Sequence, residues 1–142
     1  MELSSAIWTG AKYDRHLDIV DIAKRVRSEL REAQKTGELP KFKLSVKTSR
    51  FSNGQSLNVV IRAIPTDFPI WGDPGIKKRL RIEANFGTTH EEGSLSKEMV
   101  EVLDKIEMIR GAYNHEEHDY HSDYHYVNFY GGVSIHHSVI GT

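Results

Sequence analysis

The chain contains no cysteine in its 142 residues. That absence excludes thiol catalysis, a disulfide framework and cysteine-based zinc sites, and it is typical of proteins in a reducing cytoplasm. No apolar run approaches the ~20 residues that a membrane span requires. The first residues also lack the basic and apolar stretches of a signal peptide. We therefore expect a cytoplasmic protein that makes no contact with membranes.

The chain also has little net charge. Its 19 basic and 20 acidic side chains give a formal net charge of −1, which provides no global signature of a polyanion-binding protein. A surface for nucleic acid would therefore have to be a local basic patch. The length predicts a single domain over residues 1–142, with a core large enough to need neither disulfide nor metal.

Two stretches have the apolar periodicity of amphipathic helices. The first spans about residues 18–36, with Asp18 as its N-cap and Gly37 at its end. The second spans about residues 96–111, with Ser96 as its cap. The predicted buried stripes are Ile19, Ile22, Ala23, Val26, Leu30 and Ala33 in the first helix, and Met99, Val100, Leu103, Ile106 and Ile109 in the second.

Alternating polar and apolar residues predict strands elsewhere. Residues 41–50 and 56–63 are predicted to form a hairpin, because Ser52, Asn53 and Gly54 between them favour a tight turn. Residues 79–86 form a third predicted strand. The last strands are 126–130 and 133–140, joined at a Gly-Gly pair that is either a turn or a bulge. Inward positions are Phe42, Leu44, Val46, Leu57, Val59, Ile61, Leu80, Ile82, Ala84 and Phe86. Outward positions include Val60 and Glu83.

Three segments show neither pattern and are predicted to be irregular. They are the N-terminal residues 1–14, a Pro- and Gly-rich loop at 64–76, and a His-, Asp- and Tyr-rich loop at 112–125. The order of elements and the one-sided alternation predict an α+β fold. Its two layers are an antiparallel sheet of four to five strands and two helices packed on one face of that sheet.

Several motifs together resemble one known family. The stretches "DIAKRVRSEL" and "KFKLSVKTSRFSNGQSLNV", and then "AYN" with a "D…DY…VNFYGGVSI" tail, are similar to the large polyvalent protein-associated domain, number 29 of its series. The resemblance covers roughly residues 15–135. The matching turn contains Thr48, Ser49, Arg50, Phe51, Ser52, Gly54 and Ser56, and the matching loop contains Asn114, Asp119, Asp123 and Tyr124.

The resemblance implies an accessory domain of a bacteriophage or another mobile element, acting in the cytoplasm of a bacterial host. It implies no catalytic activity and no cofactor. The family's loop has other residues where this chain has His118, His121 and His125. Those histidines are therefore a local variation on the family pattern.

The stretch "AYNHEEHDYHSDYHYVNFY", residues 112–130, is the densest cluster of reactive side chains. A helix here would bring four histidines into one arc near Asp119 and Asp123, which would suit zinc or manganese. No apolar stripe holds such a helix down, and the spacing is less specific than HExxH. A solvated loop, in which the aspartates accept backbone N–H bonds, is therefore favoured. The candidate metal ligands are His115, His118, His121 and His125.

The sequence gives little support for an enzyme. It contains no GxSxG elbow, Walker loop, GxGxxG or Cys/His pair. The enzymatic alternative is a metal-dependent hydrolase that uses the His/Asp cluster. We favour a non-enzymatic protein.

The solvent side of the predicted sheet suggests a binding surface. Basic side chains there are interleaved with tyrosines, a combination that suits single-stranded nucleic acid because cations contact phosphates and rings stack on bases. One alternative is an ordinary solvated face. Another is a surface for docking a host or phage protein, including one that serves a host defence system. The residues predicted to bind nucleic acid or a partner are Lys43, Lys47, Arg62, Arg81, Tyr126 and Tyr130.

Overall fold

The structure is a computed structural model that describes residues 5–119 and 125–140. Within these ranges the chain forms two α-helices and eight strands arranged in two sheets. A short 3-10 helix (His137–Val139) follows the last strand, where the strand predicted over 133–140 was expected to continue. The α+β class is therefore confirmed, whereas the single sheet was wrong. Neither helix in the described ranges is long and apolar enough to cross a membrane.

Both helices lie where the sequence predicts them. Helix α1 (Ile19–Thr36) starts after Asp18, whose carboxylate accepts a hydrogen bond from the Ile19 N–H, and ends at Gly37, where φ is +86°. Helix α2 (Lys97–Gly111) starts after Ser96, whose hydroxyl accepts the Met99 N–H at 3.0 Å. The α1 stripe is buried as predicted. The buried residues of α2 are Met99, Val102, Ile106 and Arg110, whereas Val100, Leu103 and Ile109 are only partly buried.

The strands fall into a five-stranded and a three-stranded sheet. In chain order they are β1 (Ser5–Thr9), β2 (Lys43–Phe51), β3 (Gly54–Ala63), β4 (Trp71–Ala84), β5 (Gly87–Leu95), β6 (His115–Asp119), β7 (His125–Val127) and β8 (Val133–His136). The larger sheet has the order β2-β3-β8-β4-β5 and the smaller has the order β1-β6-β7.

The five-stranded sheet is mixed, not antiparallel as predicted. The hairpins β2–β3 and β4–β5 are antiparallel, but β8 lies between them and runs parallel to both β3 and β4. Side-chain alternation identifies which face of a strand is buried, but it does not encode the direction of the neighbouring strand. The closing parallel strand was therefore not predictable from the pattern.

The core lies between the two helices and one face of the five-stranded sheet. Helix α1 contacts β2 and β3, and α2 contacts β3, β4 and β8. Alternate apolar residues of the sheet join the helix stripes in one cluster, as predicted for one-sided packing. The sheet contributes Val46, Leu57, Val59, Ile61, Leu80, Ile82 and Ile135 to this cluster, and Phe42 joins it from just before β2.

Two side chains depart from the predicted alternation. Val60 was expected to face solvent but is fully buried, because it lies at the centre of the sheet, between Ser45 of β2 and Ser134 of β8. Phe86 was expected to face the core but is fully exposed. It lies in the turn between β4 and β5, where the sheet has ended and no opposing layer covers it.

Segments predicted to be irregular supply β1, β6 and the start of β4, and β5 lies where neither a strand nor a loop was predicted. Strand β1 lies within residues 1–14, and β6 lies within 112–125. Strand β4 begins at Trp71, inside the predicted 64–76 loop, and residues 87–95 form β5. The sequences of β5 and β6, GTTHEEGSL and HEEHD, carry almost no apolar side chains. Their strand character therefore depends on neighbouring strands and leaves no periodic signal.

Tyr113 links the end of α2 to α1. It is buried, and its hydroxyl donates a hydrogen bond to the carboxylate of Glu29, which also pairs with Lys12. Burial, and then the hydrogen bond and charge of Glu29, raise the pKa of Tyr113 to about 12. The neutral phenol is therefore the form that the fold stabilises.

This shift predicts an alkaline loss of stability. The unfolded tyrosine loses its proton near its ordinary pKa of about 10, whereas the folded one keeps it to about 12. The contribution is therefore full below pH 10 and is lost as the pH rises towards 12, with a maximum of about 2–3 kcal/mol. In urea unfolding, the stability difference between the native protein and Tyr113→Phe should shrink from pH 8 to pH 11. A difference that stays constant over that range contradicts this prediction, and Tyr130→Phe is the matched control.

Candidate nucleic-acid interface

The face of the five-stranded sheet opposite the helices carries polar and charged side chains. Its residues alternate with the core residues, and the strand register brings them into rows across the sheet. We call this surface the open face, and define it by Ser45, Lys47, Ser49, Ser56, Asn58, Arg62, Arg81, Glu83, Ser134 and His136.

A groove of about 520 Å³ crosses the open face. One side of it is formed by β2 and β3, and the other by the end of β4 and the start of β5, with β8 between them. Most of the lining is hydroxyl, amide or backbone, and Glu83 is the one carboxylate among the described lining residues. Polar lining side chains other than Glu83 are Lys47, Thr48, Ser49, Ser56, Asn58, Asn85, Thr88, Ser134 and His136.

Two cations contact this carboxylate, and a third lies on the same face. Lys47 Nζ donates to Glu83 Oε1 at 2.8 Å, and a terminal nitrogen of Arg62 lies 3.5 Å from the same oxygen. The Arg62 Nε donates to Ser45 Oγ at 3.0 Å. Arg81 instead donates from Nε to Ser134 Oγ at 3.1 Å. The groove lining itself contains Lys47 and Glu83, whereas Arg62 and Arg81 lie beside the groove on hydroxyl partners. Together these four side chains leave the open face with an excess of two positive charges.

Two exposed aromatic rings lie beyond the groove, at the β2–β3 turn. Phe51 and Tyr130 are each nearly half exposed, and their ring centroids are 6.2 Å apart at an interplanar angle of 38°. A Cβ atom at Gly54 would lie 3.1 Å from the Tyr130 ring and 3.3 Å from the Phe51 ring. Glycine at this position therefore leaves room for the two rings to approach the turn.

The rest of the family-like turn is occupied by its own contacts. The hydroxyls of Ser49 and Ser56 are hydrogen-bonded to each other at 2.7 Å across the β2–β3 hairpin. Arg50 pairs with Asp18, the residue that caps α1. Ser52 lies in the two-residue turn itself, and Thr48 pairs with Leu57 in the register. Most of this motif therefore fixes the hairpin, while Phe51 is the member that projects a ring into solvent.

The chain reaches β8 through a bend at Gly131. Tyr130 bridges to Ser56, so residues before and after the bend both run beside β3. Gly131 has φ +113°, and a Cβ atom there would lie 2.5 Å from the Leu57 carbonyl oxygen. A bulge within one longer strand therefore describes this region better than a hairpin turn does.

The structure separates the six residues predicted to bind nucleic acid. Lys47, Arg62 and Arg81 share the open face as predicted, and Tyr130 lies beside it. Lys43 is exposed at the start of β2, where the register shifts. Tyr126 is in β7 of the smaller sheet, with its ring 6.3 Å from that of His115. Burial, Tyr13 and Glu117 raise the pKa of Tyr126.

The histidine-rich segment forms strands where it is described. His115 and His118 lie in β6 and His125 lies in β7, whereas His121, Asp123 and Tyr124 fall outside the described residues. Within residues 5–119 and 125–140, no three His, Asp or Glu side chains are grouped to hold a metal ion. The four-histidine metal site and the metal-dependent hydrolase stay predictions.

Asn114, one of the family-like loop residues, has a clear structural role. Its Oδ1 accepts the N–H groups of His115 and Phe129 at 2.9 and 3.1 Å, and its Nδ2 donates to the Phe129 carbonyl at 3.0 Å. Asp119 ends β6 and is paired with Ser5 in the register. Asn114 therefore joins the start of β6 to the chain segment that leads towards β8.

Sequence reasoning missed several residues of the open face. Alternation already placed Glu83 on the outward side of its strand, but not its pairing with Lys47 and Arg62 from other strands. Ser134 could have been found from the alternation of the sequence VSIH. Phe51 was assigned to the turn motif, and no local signal distinguishes an exposed ring there from a buried one.

Comparisons with known protein families, curated proteins and solved structures found no match for the chain. No protein-family model matches it, and neither a curated protein nor a solved structure does. The resemblance to the large polyvalent protein-associated domain accordingly stays a prediction.

Proposed function

We propose that this chain is a non-enzymatic binding domain that holds single-stranded nucleic acid across its open face. The observation that carries the proposal is the placement of the Phe51–Tyr130 ring pair beside a polar groove on the open face, where Lys47, Arg62, Arg81 and Glu83 together leave an excess of two positive charges. Cations that contact phosphates, next to rings that stack on bases, are the usual components of single-strand binding sites. The resemblance adds the setting of a phage or mobile-element accessory domain.

A duplex fits this surface less well than a single strand does. The groove is short and lies on a sheet, and no described helix presents basic side chains to it. Rings can stack only on bases that are not already stacked in a duplex. The hydroxyl and amide lining can donate to phosphate or sugar oxygens without reading sequence. We therefore expect weak sequence preference and strong dependence on salt.

Charge substitutions test the phosphate contacts. Fluorescence anisotropy with a labelled oligothymidine should give an affinity that falls steeply as salt rises, and Lys47→Glu should weaken it about tenfold and reduce the salt slope. Lys24→Glu is the matched control, because it makes the same charge change on the exposed side of α1. Equal losses in the two variants, or binding that does not respond to salt, would refute the proposal.

Glu83→Gln tests the same phosphate contacts through an expected gain in affinity. This variant removes the charge that holds Lys47 and Arg62, so both cations become available to phosphates. We expect tighter binding with a steeper salt slope, because the site can then neutralise more phosphate charge.

Phe51→Ala should weaken binding about five- to a hundredfold if a base stacks there. Unchanged affinity in both variants would exclude the open face as the site.

A protein-binding adaptor is the second candidate, and one observation favours it. Ile7 and Trp8 on β1 are more than half exposed, at the edge of the smaller sheet. Exposed apolar and aromatic side chains are common in protein interfaces. Loss of partner capture in Ile7→Ser/Trp8→Ser, with oligothymidine affinity unchanged, would assign the adaptor role to this edge.

A further inference from the structure

The β6–β7 hairpin brings two of the four histidines together. His118 and His125 are directly opposite each other in the antiparallel register, and their ring centroids are 5.0 Å apart with an interplanar angle of 27°. Both residues are exposed. From this pairing we propose that His118 and His125 form a two-imidazole binding site for a borderline divalent cation such as Cu²⁺, Ni²⁺ or Zn²⁺.

The geometry suits one shared metal ion. Directly opposite residues of an antiparallel pair have Cβ atoms about 4.5–5.5 Å apart. A metal with nitrogen ligands at about 2.0–2.1 Å needs two ring nitrogens roughly 3–4 Å apart. Rotation about the broad terminal torsion of histidine brings neighbouring rings into that range without moving the backbone. Water would occupy the remaining coordination positions.

Two of the described neighbouring side chains favour a bound cation at this pair. Ala6 is the partner of His118 on β1, so the adjacent side chain on that strand is small. Glu116 is two residues before His118 on the same strand, and therefore lies on the same face of the smaller sheet. Its carboxylate adds negative charge near the site. This electrostatic contribution requires no direct bond between Glu116 and the metal.

His115 belongs to the opposite face and is not a ligand. Its Nδ1 is hydrogen-bonded to Thr9 Oγ1 at 2.9 Å, and its Nε2 lies 2.9 Å from Glu117 Oε1. The ring also stacks on Tyr13, with centroids 4.8 Å apart. Both ring nitrogens are therefore occupied by contacts that fix the fold. The described part of the histidine-rich segment therefore contains one structural histidine, His115, and the pair His118 and His125, which we propose binds metal.

The choice of metal follows from the ligands. Imidazole nitrogens favour copper, nickel and zinc, whereas magnesium, calcium and manganese favour oxygen. A site of this kind binds Cu²⁺ more tightly than Ni²⁺ or Zn²⁺, and it binds Mn²⁺ most weakly. The site is distinct from the open face, so it neither depends on nucleic-acid binding nor supports it.

Metal titration of protein purified without an affinity tag tests the proposal. Isothermal calorimetry with NiCl₂ and ZnCl₂ should show one saturable site, and MnCl₂ should show none. Because loss of an outer-shell partner already costs about 10- to 100-fold in metal affinity, His118→Ala and His125→Ala should each weaken binding at least tenfold. The His90→Ala variant, which removes an exposed histidine from β5, should bind as the native protein does.

Tryptophan fluorescence gives an independent readout of the location. Trp8 pairs with Glu116 and so shares the face of the smaller sheet that carries the two histidines. Cu²⁺ at the site should quench its emission, and the quenching should vanish in His118→Ala/His125→Ala and in Trp8→Phe. Circular dichroism checks that each variant stays folded. Saturable binding that persists in both single variants, or no saturable binding by the native protein, would overturn the proposal.

Discussion

Asn114→Ala is expected to lower the free energy of unfolding by about 3 kcal/mol, because it removes three hydrogen bonds to backbone groups, two of them buried. The Asn114 side chain serves the N–H and C=O of Phe129 and the N–H of His115, and only 7% of the residue is exposed. Water cannot readily replace these partners. The midpoint of urea unfolding should therefore fall with little change in its denaturant dependence.

Two further variants separate the hydrogen bonds from general effects of substitution. Asn114→Asp keeps the two acceptor contacts but loses the donor to the Phe129 carbonyl, so it should be destabilised as well. Asn85→Ala removes an exposed asparagine and should stay within about 0.5 kcal/mol of the native protein. Hydrogen exchange of the Phe129 and His115 amides should accelerate in Asn114→Ala. A variant as stable as the control would contradict the role given to Asn114.

Asn114 also explains why part of the family-like loop is structural. The residue lies immediately before β6, and its contacts reach 15 positions along the chain to Phe129. Phe129 in turn packs in the core, between the open face and the helix layer. No local sequence pattern predicts a hydrogen bond across that separation. The sequence could therefore identify the motif, but not the two chain segments that Asn114 connects.

The helices were predictable because their evidence is local. The apolar stripe of α1, its Asp18 cap and its terminal Gly37 lie within one short segment, and each has a direct physical meaning. The β2–β3 hairpin was predictable for the same reason, since alternation and turn chemistry agree. In contrast, β5 and β6 have polar sequences and form only because β4 and β1 provide partners.

The open face was partly predictable. Alternation placed Lys47, Arg62 and Arg81 on one surface, which the strand register confirms. The ion pairs of Glu83 with Lys47 and Arg62 were not predictable, because these two residues lie on strands far from Glu83 in the chain. Tyr126 was misplaced because Tyr126 and Tyr130 were assigned to one strand, whereas the chain leaves the smaller sheet between them.

Arg110→Ala is the second substitution for which a large loss of stability is expected, about 3 kcal/mol. Arg110 is 3% exposed, although the predicted α2 stripe contained only apolar residues. Its Nε donates to the Leu57 carbonyl at 2.9 Å, and its guanidinium lies 5.4 Å from the centre of the Phe129 ring. Alanine would leave the Leu57 carbonyl without this donor and open a cavity against Phe129.

Glu107 offsets part of the cost of burying the charge of Arg110. Burial lowers the pKa of Arg110, the carboxylate of Glu107 counteracts this, and the charge of Arg81 lowers it further. Glu107 accepts a hydrogen bond from Arg110 at 2.8 Å, while burial raises its own pKa. Since Glu107 is half exposed, solvent screens part of its charge when Arg110 is removed. The main loss should therefore come from the Leu57 carbonyl and from packing.

Arg110→Met distinguishes these contributions. Methionine retains much of the apolar volume beside Phe129 but has no donor for the Leu57 carbonyl, so its stability should lie between those of Arg110→Ala and the native protein. Arg31→Ala, at an exposed position on α1, should change stability by less than about 0.5 kcal/mol. If Arg110→Met is as stable as the native protein, the hydrogen bond to Leu57 contributes nothing and packing alone explains why this arginine is buried.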